Sequence, residues 1–365
     1  MSVAVFVSCS SCQKHEQAQE QEQVQEQAQE EAHVATSFWQ IVNPHYSDTP
    51  GYRVLYEGQK ERHCIPVTGA FEPAWDPQYD TYHMFHHHGV AVESELMAYR
   101  IYFDKKQTID VYCKRTPRLE LAQSYWYPND SLLAEHYGDD ILRVGGTVGV
   151  GTVKYWNNKL YHIENAGERQ QWIEQQTADT AVIGVGDIDW EVPDGKLEKT
   201  GERTMTNLRA YYTMCAGHRD MRCDVQVNEP INGLCTGVQL IPNKGKANWW
   251  KEDFSAYALI EESEAGVLLG SWGTDWPVND TVKYAKETVG LGVFIPKPYT
   301  GKTVQDKSNN LCLLKLSEVS DENSVSQYTA HFYLTCCGAT KEDHPVATNA
   351  TEWYNYLRSW AETLE

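Results

Sequence analysis

Residues 204–227 read TMTNLRAYYTMCAGHRDMRCDVQV, and this stretch decides the fold class. Apolar and polar residues alternate with period two over Thr204–Met214 and again over Met221–Val227, the spacing of half-buried strands. Between the two runs the chain turns at Ala216–Gly217, which places His218, Arg219 and Asp220 on the turn or its shoulder. The reading is strand, turn, strand.

The same signature, rich in Tyr, Val, Ile and Trp and punctuated by Gly, Pro, Asn and Asp, recurs on both sides. Before the opening stretch it covers Tyr52–Glu57, Met97–Phe103, Thr108–Lys114, Lys159–Ile163 and Ala181–Ile188. After it come Leu234–Ile241, Tyr257–Glu261, Gly266–Trp272, Gly290–Ile295, Cys312–Leu316 and Tyr328–Thr335. So many short strands predict an all-β chain built as a large antiparallel sandwich or barrel. Helical spacing is confined to Ser131–Tyr137 and to Thr351–Thr363, where Trp353, Leu357, Trp360 and Leu364 line one face and predict a clasp across the sheet. The glycines of GGTVGVG (145–151) lack the Lys-Ser/Thr continuation of a phosphate loop and are read as tight backbone packing.

The 365 residues suffice for a substantial core, and residues 37–365 are expected to form a single β-sandwich domain. A formal charge of −20 argues against nucleic-acid binding and against adsorption to an anionic membrane. It leaves room for an anionic sugar, because a few cations in one cleft make a local positive potential. The opening MSVAVFVSCSSC (1–12) resembles the end of a lipoprotein signal with Cys9 as the lipidated residue, the alternative being an untargeted start. The Gln/Glu-rich segment 13–36 reads as a tether. Together they predict a bacterial cell-envelope protein, in the periplasm or on the outer membrane, that meets a membrane only through Cys9. No cysteine pair outside the N-terminal segment has zinc-ribbon spacing, and the eight inner cysteines are read as either disulfide-bonded or free.

Histidines concentrate in YHMFHHHGVAVESELMAYRIY (82–102), which holds His83, His86, His87, His88, Glu93, Glu95 and Arg100. In an extended backbone His86 and His88 share one face and His87 takes the other, a limit that a bend at Gly89 would relax. Three uses compete: acid/base work on a sugar, a divalent metal held by a His/Glu set, and hydrogen-bonded filler. Arg219 suits a bidentate grip on a carboxylate, against a pairing with Asp220 or Asp224. Tyr211 and Tyr212 lead into the same turn, as acid/base phenols or as core. Trp249, Trp250, Trp272 and Trp276 are candidate sugar-stacking platforms, Trp272 first among them, or simply loop and core anchors.

The stretches HHHGVAVESELMAYRIYFDKKQTIDVY (86–112), YGDDILRVGGTVGVG (137–151) and AGHRD (216–220) resemble the domain-of-unknown-function family 4861, in the same order and over most of the chain from about residue 40. That resemblance implies a galactose-mutarotase-like β-supersandwich and an acidic oligosaccharide as partner. It also implies a lyase reaction, dehydration at the non-reducing end of ulvan-type oligosaccharides to a 4,5-unsaturated uronate, with no cofactor. Such chemistry needs the uronate carboxylate neutralised, a base at the C5 proton and an acid for the departing C4 hydroxyl. On this reading Arg219 or Arg100 neutralises charge, His88 or His218 takes the proton, and Tyr212 or His87 protonates the leaving group. Glu93 and Glu95 orient the histidines or bind hydroxyls. Glycoside hydrolysis, sugar epimerisation and non-catalytic glycan binding stay open as alternatives.

Overall fold

The computed structural model describes residues 32–42, 52–55, 61–67, 69, 83–124, 127–193, 204–244, 248, 258–320 and 326–364. The segment 1–12 with Cys9, most of the tether, Trp249 and Trp250 lie outside them. The described chain is mostly β and antiparallel. Its backbone is a nine-stranded sheet running in space through Glu168–Gln176, Thr180–Glu191, Met205–Cys215, Met221–Val227, Ser326–Gly338, Glu287–Pro296, Gly266–Asp275 and Ala258–Glu262, with Ser317–Ser320 pairing on Ser326–Gly338. A five-stranded sheet contains Val34–Ser37, Gly89–Ser94, Met97–Tyr102, Ile109–Cys113 and Asp139–Asp140. A second contains Leu160–Tyr161, Lys154–Trp156, Leu234–Gln239, Asn309–Leu314 and Thr300–Gln305, and Trp39–Val42, Glu61–Pro66 and Tyr52–Leu55 form a small third.

The opening stretch folds as read. Leu208, Ala210, Tyr212 and Met214 are buried while Arg209 is exposed, and Met214 pairs with Met221 across the turn. Gly217 supplies the left-handed φ of +72° that closes that turn. The inward side chains of the nine-stranded sheet share one core with Val90, Val92, Tyr99 and Ile101 of the first five-stranded sheet and with Leu234 and Val238 of the second. Strand structure starts at Val34, within the segment assigned to the tether, and Val34–Ser37 pairs with Gly89–Ser94.

On the opposite face lies the C-terminal helix, Ala350–Ala361. Asn349 caps it by accepting from the Glu352 N–H at 3.0 Å, and Trp353, Leu357 and Trp360 are its buried face, as their spacing predicts. The strand Glu287–Pro296 is shaped for it: a Cβ on Gly290 would fall 2.6 Å from the Trp353 ring, and one on Gly292 2.3 Å from Leu357. Only residues without side chains let the helix come so close. In GGTVGVG the packing expectation splits, since a Cβ on Gly149 or Gly151 would collide with neighbours whereas Gly145 and Gly146 face open space. The eight inner cysteines are all free thiols. The strands Glu168–Gln176 and Thr300–Gln305 escaped the sequence reading because ERQQWIEQQ and TGKTVQ carry too many polar residues to show an alternating apolar face.

Candidate functional site

Period two fixes what the first five-stranded sheet shows on its two faces. Tyr99 and Ile101 point into the shared core, so Ala98 and Arg100 point away from it, and the register sets Arg100 opposite Asp110. That outer face is covered rather than solvated. Leu121 packs on Ala91, Ala98 and Tyr112, and Arg100, Asp110 and Glu93 are all at most 1% exposed.

Charges taken out of water need partners, and here they have them. Arg100 donates to Asp110 Oδ2 from Nε at 2.9 Å and from Nη2 at 2.6 Å. The same Nη2 reaches Asp140 Oδ2 at 3.2 Å, and the Tyr102 hydroxyl donates to Asp110 Oδ2 at 2.6 Å. The guanidinium carbon sits 4.9, 4.7 and 5.1 Å from the ring centres of Tyr102, Tyr112 and Tyr127, cation–π contacts on three phenols. Burial opposes the charge on Arg100, but those phenols and Asp110 hold its pKa above the ordinary value. Asp140 differs: burial, and then the neighbouring charge of Asp110, push its pKa well above the usual carboxylate range against the pull of Arg100. Asp110 Oδ1 is buried with no hydrogen-bond partner among the described residues.

Above this cluster opens a cleft of about 560 Å³, lined by Tyr102, Tyr127 and Asp140 on the cluster side and by Asp104, Lys106 and Arg143, with Pro277–Asn279 closing it. That size lies within the range of small-molecule sites. Asp104 Oδ1 accepts from the N–H groups of Lys106 at 2.8 Å and Gln107 at 2.9 Å, which shapes the turn on the rim. The Lys106 ammonium donates to the Gly145 carbonyl at 3.1 Å, and Arg143 is exposed. The cleft has cations at its edge and a carboxyl of raised pKa within.

The histidines stand behind this wall. His87 and His88 adopt left-handed φ values of 57° and 62°, so the chain bends through the triplet and strand alternation does not apply to it. His86 Nε2 donates to the Ser124 carbonyl and Nδ1 lies 2.9 Å from the Ser37 hydroxyl; burial lowers its pKa to about 3. His87 Nε2 donates to the Leu121 carbonyl at 2.8 Å, which leaves Nδ1 bare and buried. Burial, then the adjacent His86, lowers its pKa too, and its Nε2–H is spent on the Leu121 carbonyl. These two tie the covering segment to the sheet. His88 stacks behind the phenols, 6.0 Å from the Tyr102 ring and 6.5 Å from Tyr127, without lining the cleft. Glu93 is also structural. It pairs with Lys114 and accepts from the N–H of Glu120 at 2.8 Å and of Leu121 at 2.9 Å, which leaves nothing for a sugar.

Segments 86–100 and 209–220 do meet, but at the wrong end for a shared site. Ser94 Oγ donates to the His218 carbonyl and Tyr99 Oη to the Arg219 carbonyl, both at 2.5 Å, and Glu95 accepts the Gly217 N–H at 3.1 Å. Strand Gly89–Ser94 separates these contacts from the histidine triplet, roughly 20 Å at the rise of an extended chain. Four of the candidate residues therefore lie away from the cleft. Arg219 is spent on Glu342, at 3.1 and 3.2 Å, and on the Cys336 carbonyl. His218 is an exposed turn residue 3.2 Å from Asp220. Tyr212 is buried between the sheets and bonded to Cys223 and the Val153 backbone. Trp272 packs beneath the C-terminal helix, 6.5 Å from Trp353, with no free face for a sugar.

Asp110, Asp140, Tyr102, Tyr127, Lys106 and Arg143 went unnoticed as site residues. The signal for Asp110 was its place one strand over from Arg100, visible only once the register is known. Asp140 and Arg143 stood inside the quoted motif YGDDILRVGG.

A family model described as a domain of unknown function, DUF4861, matches residues 11–365. The chain belongs to this family. No curated protein matches its sequence. Among solved structures, an alpha-mannosidase from Enterococcus faecalis V583 is similar at 10% identity and a TM-score of 0.35, over 90% of this chain and 40% of that one. A galactose mutarotase related enzyme from Lactobacillus acidophilus is similar at 14% identity and a TM-score of 0.26, over 67% of this chain and 95% of the other. This family member thus spans less than half the length of the mannosidase.

Proposed function

We propose that the chain is a carbon–oxygen lyase that removes water from the terminal uronic acid of an acidic oligosaccharide. One observation carries the reading: Asp140, a carboxyl whose pKa burial pushes up, lines a cleft edged by Lys106 and Arg143 and backed by Arg100. The edge cations draw in and neutralise the uronate carboxylate, which acidifies the C5 proton. The Tyr127 side chain, having first lost its phenolic proton to solvent and held as phenolate by Arg100 behind it, takes that proton. The electron pair forms the C4–C5 double bond, the C4–O bond breaks, and the Asp140 proton completes the departing water. Tyr102 and His88 position these groups.

Asp104 and Asp140 line one cleft, and this supports glycoside hydrolysis as the second reading. Product analysis separates the two. With uronate-terminated oligosaccharides, elimination makes ultraviolet absorbance grow as the conjugated double bond forms, and hydrolysis yields only saturated sugars. Asp140→Asn and Tyr127→Phe should each slow that growth about 10²–10⁴-fold, the usual worth of an acid or base. An unimpaired rate in either removes that residue from the reaction. The same reading keeps the domain in the bacterial envelope, anchored through Cys9. Mass spectrometry of the mature N-terminus should find a lipid on Cys9, and an unmodified Cys9 would remove the anchor.

A further inference from the structure

Lys154 is 0% exposed and takes no part in the elimination proposed above. Its ammonium donates to the Lys106 carbonyl and, at 3.1 Å, to the Thr108 hydroxyl. Both acceptors are neutral oxygens, so these bonds offset the desolvation of a buried charge less well than a carboxylate does. A neutral donor would tie the same carbonyl at less cost. What the charge adds is strength, since a hydrogen bond from an ammonium is roughly twice as strong as a neutral one.

The carbonyl it holds belongs to the turn on the rim of the cleft. The peptide group between Lys106 and Gln107 is clamped at both ends, its C=O by Lys154 and its N–H by Asp104 Oδ1 at 2.9 Å. Gln107 has a left-handed φ of 47°, and its amide donates to the two oxygens of Asp187 at 2.8 and 2.7 Å. Arg169, paired with Asp187 at 2.9 Å, holds the Asp104 carbonyl at 3.0 Å. Lys154, Arg169, Asp187 and Gln107 are all buried and none of them lines the cleft, whereas Asp104 and Lys106 do. The turn is gripped from behind and presents its charges in front.

We propose that Lys154 is a positioning residue for the cleft: by fixing the Lys106–Gln107 peptide it sets where the Lys106 ammonium stands, and so how tightly the uronate end is gripped. The proposal rests on the cleft being the uronate site. Facing the Lys154 ammonium are Asp104 of the turn, Arg169 and Asp187 of strands Glu168–Gln176 and Thr180–Glu191, Cys235 of Leu234–Gln239, and His162. Burial lowers the pKa of Lys154 to about 7, holds His162 at about 3 and pushes the Cys235 thiol up. The ammonium is therefore present below pH 7, and the clamp loosens as pH rises through that value. Asp187, whose pKa burial raises, gains charge as pH rises and tightens the turn, which is the opposite sign.

Calorimetric titration with a uronate-terminated disaccharide tests it, using the full chain with Asp140→Asn so that the cleft's own titrating carboxyl is out of the measurement. Kd should rise roughly tenfold as pH passes through neutrality, about what one charge-assisted hydrogen bond is worth. Adding Lys154→Met should raise Kd by the same factor in mild acid and abolish the pH step. With Lys106→Met already present, Lys154→Met should cost nothing further, because its effect runs through Lys106. In the unaltered, sugar-free chain the Gln107 amide resonance should titrate with a midpoint near pH 7, a readout that needs no variant to fold. A Kd blind to pH, a full loss on top of Lys106→Met, or a Gln107 amide that does not titrate overturns the role of Lys154 even if water is still eliminated. The pH step in binding without elimination by the unaltered protein supports that role and overturns only the reaction. A sugar that does not bind at all overturns both.

Discussion

The C-terminal helix covers its sheet with Trp353, Leu357 and Trp360 set against Gly290 and Gly292, whereas residues 114–124 cover theirs over Glu93, Arg100 and Asp110. Each is a sheet face hidden by one later segment. The helix seals mainly with apolar area, worth about 1.5–3 kcal/mol for each large side chain buried, with the Trp353 indole on the Leu291 carbonyl and Trp360 Nε1 without a partner among the described residues. The other cover gains little from its charges, because desolvation consumes most of what pairing returns. A fold has no need of the second arrangement for stability alone. Its unpaired atoms, Asp110 Oδ1 and His87 Nδ1, lie in the cluster that backs the cleft. The cleft lies over the polar burial, and the apolar burial holds the helix to its sheet.

Breaking the charge cluster should have the largest effect. Arg100→Met leaves Asp110 and Asp140 facing each other, and urea denaturation should show a loss of about 3–5 kcal/mol together with loss of turnover. A stable, active variant would show that the cluster is dispensable. On the apolar side Leu357→Ala should cost about 3 kcal/mol by the same measurement. Since the helix face is remote from the chemistry, its turnover should stay that of the unaltered protein.

Acid should separate the two regions next. His86 has a folded pKa of about 3, below the ordinary 6.5, so its neutral form supports the fold fully above 6.5 and that support is lost as pH falls toward 3. His87 shifts in the same direction, and the helix seat holds no histidine. Hydrogen exchange near pH 4 should therefore find residues 89–102 losing protection, worth about 1–3 kcal/mol, before Glu287–Pro296 does. Simultaneous loss would mean that the two regions unfold as one. The smallest effect belongs to His218→Ala, an exposed turn substitution expected within about 0.5 kcal/mol and without effect on turnover.

The apolar region was the more legible in sequence. Trp353, Leu357 and Trp360 announce their face through helical spacing, and Tyr212 with Met214 announce theirs through alternation, because burial of apolar side chains is what sets those periods. Residues 86–112 stood out by their histidines, but their roles did not follow. Strand alternation put His86 and His88 on one face, and the left-handed backbone at His87 and His88 voids that rule. Arg219 was matched to a substrate carboxylate on local grounds while its partner, Glu342, sits more than a hundred residues away in sequence. A polar pair is defined by what the fold brings opposite, and no local period records it.

The most direct trial of the central claim is mass spectrometry of uronate-terminated oligosaccharides before and after incubation with the full chain. Products lighter than the starting sugars by one water, absent with Asp140→Asn, are the result this account predicts. Unchanged sugars, or fragments that have gained water, would contradict it.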